Sequence, residues 1–219
     1  PANFAESFFA GYKPEEDKPF FLYLSFMNPH DICYGAGFDP RFPDKLRPHQ
    51  IAATQKYIDF HKTLSEEEYR NQIPPVPVNM EPNGAYAEMK EIGSGSRNWT
   101  EEQWNFYRWM YCRLVEDVEK QIGRILTALA DAGLADNTIV VFTSDHGEMG
   151  QSHGLVFKSQ LLEEATRTPL IIAGPGIQKG IVDSENLTCG IDLVPTMCDL
   201  VGIPIPKGLL GKSLKPILT

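Results

Sequence analysis

The chain has 219 residues, with 20 Lys plus Arg against 29 Asp plus Glu, a formal net charge of −9 and a pI near 5.1. With 42% hydrophobic and 22% charged residues it has the composition of a globular protein, which excludes a disordered or fibrous chain. The acidic balance argues against a nucleic-acid partner, which calls for a basic face, and no apolar run approaches the roughly 20 residues of a membrane span.

Residues 1–19 are mixed and end in a charged, proline-bearing turn, Lys13 through Pro19. Phe20 through Met27 is apolar nearly throughout and short, which predicts a strand buried on both faces. It stops at Asn28-Pro29-His30-Asp31, where proline ends ladder pairing. Residues 35–98 form a proline-broken, irregular excursion, with a helical stretch near Ile51–Leu64 and a second short one opened by Ser65-Glu66-Glu67-Glu68. Such an excursion is either a wall of a binding cleft or a plain surface loop. Tyr34, just before it, and Phe38 and Asp39 within it are aromatic and acidic residues open equally to ligand contact and to plain surface packing.

Thr100-Glu101-Glu102-Gln103 is a capping-box sequence. Behind it, apolar residues at 104, 107, 111, 114, 118, 122, 125 and 129 recur in steps of three and four, predicting one amphipathic helix over 101–132 with Gly133 as its C′ residue. Thr138 through Ser144 predicts a second buried strand and Leu170 through Ala173 a third. Ser159 can cap a helix through Ala165, and Asp192 a last helix through Leu200 ended by Gly202. Strands alternating with helices predict an α/β fold with a mainly parallel sheet flanked by helices. Cys33, Cys112, Cys189 and Cys198 match no zinc spacing; a Cys189–Cys198 bridge is left open.

In open α/β sheets ligands bind beyond the carboxyl ends of the strands. One strand here ends at His30 and another at Asp145-His146-Gly147-Glu148. A carboxylate beside an imidazole suits a divalent cation with oxygen and nitrogen ligands, although two ligands are too few for a site. The alternative is that Asp145 caps a turn and His146 is a hydrogen-bonded loop residue. Lys158 stands 13 positions after Asp145, across a glycine-bearing loop, either as an anion ligand at a helix start or as a solvated surface lysine. His153 lines the same pocket or simply hydrogen-bonds within its loop. His49 and His61 read as surface residues.

These residues together resemble the sulfatase family of the alkaline phosphatase superfamily. The resemblance is carried by Phe20 through His30, by Ala135 through Glu148, by His153-Gly154 with Lys158, by Arg167 through Ile172, and by Ile191 through Thr196. The resemblance implies hydrolysis of sulfate esters by a formylglycine nucleophile with a divalent cation, usually Ca2+. It implies metal ligation by Asp145 and His146. It further implies that Lys158 binds a sulfate oxygen and steadies the leaving oxygen, that His30 contacts and protonates the bridging oxygen, and that His153 lies beside the substrate. Imidazoles as a class titrate near neutral pH, which suits leaving-group protonation.

One departure stands out. The formylglycine arises from C/S-x-P/A-x-R, and none of the four cysteines and no serine lies in such a run. The family places that motif and the first acidic cation ligands in its amino-terminal part. The chain therefore reads as an internal segment, one partial catalytic domain over 1–219, that needs the remainder of its own polypeptide and is inactive alone. Expected partners are a sulfated small molecule or glycan, and the family's habit implies an exported location. A phosphate or phosphonate ester hydrolase of the same superfamily, or a non-catalytic fragment, is the competing reading.

Overall fold

The computed structural model describes residues 1–16, 18–35, 48–80, 99–158 and 160–219, so Phe38, Asp39, Ser159 and much of the proline-rich excursion lie outside the described residues. The chain forms two units: Pro1–Ala132 with His146–Arg167, and Gly133–Asp145 with Thr168–Thr219.

The first unit is helical. It contains α1 (Ala2–Gly11), α2 (Ile32–Gly35), α3 (Pro48–His61), α4 (Glu66–Gln72) and α5 (Glu101–Asp131), followed after residue 146 by α6 (Glu163–Thr166). Both capping boxes form. Ser65 Oγ accepts the Glu68 amide while the Glu68 carboxylate accepts the Ser65 amide, and Thr100 and Gln103 do the same for α5. The expected amphipathic helix is present, but after its first three residues it is buried on every side from Trp104 to Met110, including Asn105 and Arg108. Tyr57 of α3, Tyr69 of α4, Ile32 and Val156 join them in one core. A helix covered on several sides cannot be read as a single apolar stripe, which is why Phe106, Trp109 and Met110 were not among the predicted face residues. Farther along, Arg124 binds the Glu6 carboxylate through two nitrogens at 2.9 and 2.7 Å and Asn3 Oδ1 at 2.6 Å, fixing α1 to α5.

Phe20–Met27 departs from expectation. It makes no strand ladder among the described residues, and its side chains alternate between half-buried and exposed, with Phe21, Tyr23 and Met27 more than 70% exposed. The Phe20 ring stands edge-on to Tyr12 at 5.0 Å and to Phe8 at 5.3 Å.

The second unit contains β1 (Val140–Thr143), β2 (Leu170–Ala173), α7 (Leu193–Leu200) and α8 (Lys215–Leu218). The two strands exist where expected, but they pair antiparallel, Val140 opposite Ala173 and Thr143 opposite Leu170, and neither is buried on both faces. The mainly parallel sheet is therefore not what the described residues display; they hold this one antiparallel pair. Gly174 is required beside it, because a Cβ there would stand 2.8 Å from Ile139 Cα. Asp192 precedes α7 as predicted but does not cap it. Its carboxylate instead accepts the amides of Cys189 and Lys212 at 2.9 and 2.8 Å. Gly202, at φ +72°, follows the helix end. All four cysteines are free, so the 189–198 bridge is not formed.

Candidate active site

His30 stands on a turn built by its own neighbours. Its amide donates to Met27 O at 3.0 Å, Asp31 N donates to the Asn28 side chain at 3.3 Å, and Cys33 N donates back to His30 O at 3.0 Å as α2 begins. Lys158 arrives from 128 positions away, with its Nζ 3.5 Å from His30 Nδ1. An ammonium has only donors, so in this pair Nδ1 is the acceptor and the proton of a neutral His30 ring sits on Nε2. Two of the residues singled out from sequence are thus brought together.

The loop that delivers Lys158 is folded back on itself. Met149 N donates to Phe157 O and Gln151 N to Leu155 O, each at 2.9 Å. Three of its non-glycine residues have positive φ: Gln151 at +86°, His153 at +55° and Phe157 at +68°. Each such conformation costs on the order of 1–3 kcal/mol and persists only where surroundings enforce it. The surroundings here are specific. Glu148 Oε1 accepts the Tyr107 hydroxyl at 2.8 Å, the Phe157 amide at 2.6 Å and the Gly150 amide at 3.3 Å. The neighbouring Arg108, buried, binds the side chains of Gln151 and Asn105 and the Pro74 carbonyl. Burial pushes the Glu148 carboxyl above the ordinary range, against the pull of its donors and of the Lys158 charge; burial also drives the Tyr107 phenol well up.

Gly147 opens this loop. Its amide donates to Ala165 O at 2.8 Å, and a Cβ at this position would lie 1.9 Å from the Glu164 carbonyl oxygen. Only glycine allows that approach. Next to it, His146 Nδ1 lies 2.8 Å from Gly147 O. A carbonyl can only accept, so Nδ1 carries the proton and Nε2 is the basic nitrogen of the neutral ring. Asp145 is exposed at the exit of β1, with Ser144 Oγ 3.5 Å from its Oδ1. The pair offers one carboxylate and one imidazole. Among the described residues there is no group of three or more His, Cys, Asp and Glu that could hold a metal ion, so these residues alone do not make a cation site.

His153 belongs to a separate polar cluster. Its amide donates to Asn79 O at 2.8 Å, its Nε2 lies 3.3 Å from Asn79 Nδ2 and 4.0 Å from Glu164 Oε1, and Asn79 Nδ2 donates to that carboxylate at 2.6 Å. This is the loop hydrogen-bonding alternative for His153. Cys33, close enough to feel the charges of Glu148 and Lys158, has its thiol pushed up to about 11, first by burial and then by Glu148. At neutral pH it is a packed thiol and not a nucleophile. His61, expected at the surface, instead packs edge-on to Tyr69, Phe106 and Trp109. Sequence reasoning missed Tyr107, Asn79 and Glu164 as site neighbours. Glu148 was visible beside the Asp-His-Gly run but carried no signal of its task.

The family profile described as Sulfatase matches residues 2–203. Arylsulfatase K of Danio rerio is 31% identical over 207 residues, which is 92% of this chain and 36% of that protein. The Delta 4,5-hexuronate-2-O-sulfatase of Bacteroides thetaiotaomicron is 32% identical over 204 residues, 92% of this chain and 40% of that one. The solved structure of a 2-O GAG sulfatase superposes with a TM-score of 0.75 at 28% identity, covering 99% of this chain and 44% of its own. The chain thus spans less than half the length of each of these relatives. Its fold is theirs in part: the alkaline-phosphatase-like α/β class expected above, incomplete.

Proposed function

This chain belongs to the sulfatase family, and on that premise we propose that it carries the substrate-side half of a sulfuric ester hydrolase. Lys158 binds a sulfate oxygen and offsets the charge that spreads over the equatorial oxygens as the ester bond lengthens. His30 holds its proton on Nε2, because Nδ1 faces the Lys158 ammonium, and passes that proton to the leaving oxygen as Nδ1 takes one from Lys158. The observation that carries the reading is the 3.5 Å approach of Lys158 to His30 across 128 positions.

Asp145 and His146 supply two ligands of a divalent cation such as calcium, whose remaining ligands lie outside the described residues. The nucleophile, a formylglycine, also comes from elsewhere, since no Cys or Ser of the 219 stands in the required motif. A bound cation would add Lewis-acid neutralisation of the sulfate group. The substrate class is a sulfated glycan, supported by the uronate specificity in the name of one relative. His153 shapes the pocket rim through Asn79 and Glu164. Export from the cytosol belongs to the same proposal, and cell fractionation tests it.

The test uses the intact polypeptide that contains these residues. Lys158→Ala lowers kcat by about 100- to 1,000-fold. His30→Ala loses far more on an alkyl or sugar sulfate than on 4-nitrophenyl sulfate, whose leaving group needs no proton. Equal losses on both would remove His30 as the proton donor. The 219-residue chain alone is inactive with calcium, and turnover by it would overturn the partial-site reading. A preference for phosphonate or phosphate esters over sulfates would replace this function with that of a phosphoester hydrolase.

A further inference from the structure

We propose that Glu148, backed by Tyr107, is the positioning residue for Lys158; this rests on the reading of Lys158 as the sulfate-binding cation. The carboxylate receives the Phe157 amide at 2.6 Å, and Phe157 O receives the Met149 amide at 2.9 Å. Phe157, the residue immediately before Lys158, is thereby gripped at both its amide and its carbonyl by residues 148 and 149. That grip holds Phe157 at φ +68°, a conformation an aromatic residue does not adopt unaided. The turn at Phe157 sets the direction in which the Lys158 side chain leaves the backbone, and that direction ends at His30.

Tyr107 supplies the fixed wall. It is 2% exposed on α5 and donates its hydroxyl to the same Glu148 oxygen at 2.8 Å. Arg108, next along the helix, ties the Gln151 side chain, so one helical turn anchors both the carboxylate and the middle of the loop. A loop that only needed to close could use an apolar residue at 148. A carboxylate here accepts three hydrogen bonds at one oxygen and attracts the ammonium it orients. The Glu148 that sequence inspection left without a role therefore has one, acting on the catalytic lysine through the backbone.

The test compares Glu148→Ala, Glu148→Gln and Tyr107→Phe in the intact polypeptide. Glu148→Ala lowers kcat by about 100-fold with KM moved by less than about 10-fold, as expected for a misaimed group. Glu148→Gln, whose amide oxygen can still accept from Phe157 and Tyr107, returns to within about 10-fold of wild type. Tyr107→Phe falls between the two. A second readout does not involve turnover. Lysines are reductively methylated with carbon-13, and the Lys158 signal is assigned by its loss in Lys158→Arg. Its shift moves in Glu148→Ala and stays in Glu148→Gln. Wild-type kcat in Glu148→Ala, or an unmoved Lys158 signal in a folded Glu148→Ala protein, overturns the proposal. Should Glu148→Ala not fold, as judged by circular dichroism, Tyr107→Phe decides: an unmoved kcat and Lys158 signal there overturns it. A wild-type enzyme without sulfate ester hydrolysis would remove the functional reading, and the Lys158 signal would still decide the positioning.

Discussion

Gly147 shows how much a single missing methyl matters to this site. With Glu164 O 1.9 Å from where a Cβ would stand, Gly147→Ala must displace backbone on one side or the other. We expect a loss of about 3 kcal/mol in chemical denaturation, together with lost alignment of the 147–158 loop. What sequence revealed at this scale was residue identity, and what it concealed was partnership. His30 and Lys158 stood out because strand tips and a glycine-bearing loop place polar groups where packing needs none. Tyr107 fell inside a helical apolar period, and a hydroxyl on such a residue leaves no trace in that period until the carboxylate it meets is known. His153 was legible as a residue type with two readings, and its bonds to Asn79 follow a fold-back of the chain that no local pattern encodes.

At the scale of elements, local chemistry was read well and pairing was not. The α5 start was legible because Thr100 and Gln103 satisfy each other's amides within one turn; Thr100→Ala should cost about 1 kcal/mol, measurable as a lowered denaturation midpoint. The strands at 140–143 and 170–173 were located by composition, yet their antiparallel pairing and exposed faces depend on neighbours that composition does not name. The sharpest contrast is Phe20–Met27, whose apolar content predicted a doubly covered strand. Without a ladder among the described residues its amides have no strand bonds to protect them, so those of residues 21–27 should exchange with deuterium faster than those of 104–114 in α5. Protection of 21–27 equal to that of α5 in the 219-residue chain would show that the segment is paired in solution.

For the whole molecule, pH is the informative variable on the alkaline side. Cys33 is pushed from 9.0 up to about 11, and Tyr69 and Tyr111 from 10.0 up to about 12, in each case first by burial. Their neutral forms persist in the folded state after the unfolded chain has begun to ionise. The resulting stability is complete below about pH 9 and is lost as pH rises through about 11 to 12. Melting temperature should fall across that window. The overall class was legible from strand and helix alternation, because that pattern is local; the division into two units was not, because each unit is assembled from segments far apart in sequence.

The three tryptophans, Trp99, Trp104 and Trp109, all belong to the aromatic cluster at the start of α5, and the segments of the second unit contain none. Intrinsic indole emission is therefore a private reporter of the helical unit. It should be blue-shifted while that cluster is dry and should redden only when α5 opens. Indole fluorescence carries no probe within the β1–β2 pair, so melting of that pair is to be followed by far-ultraviolet ellipticity and not by tryptophan emission.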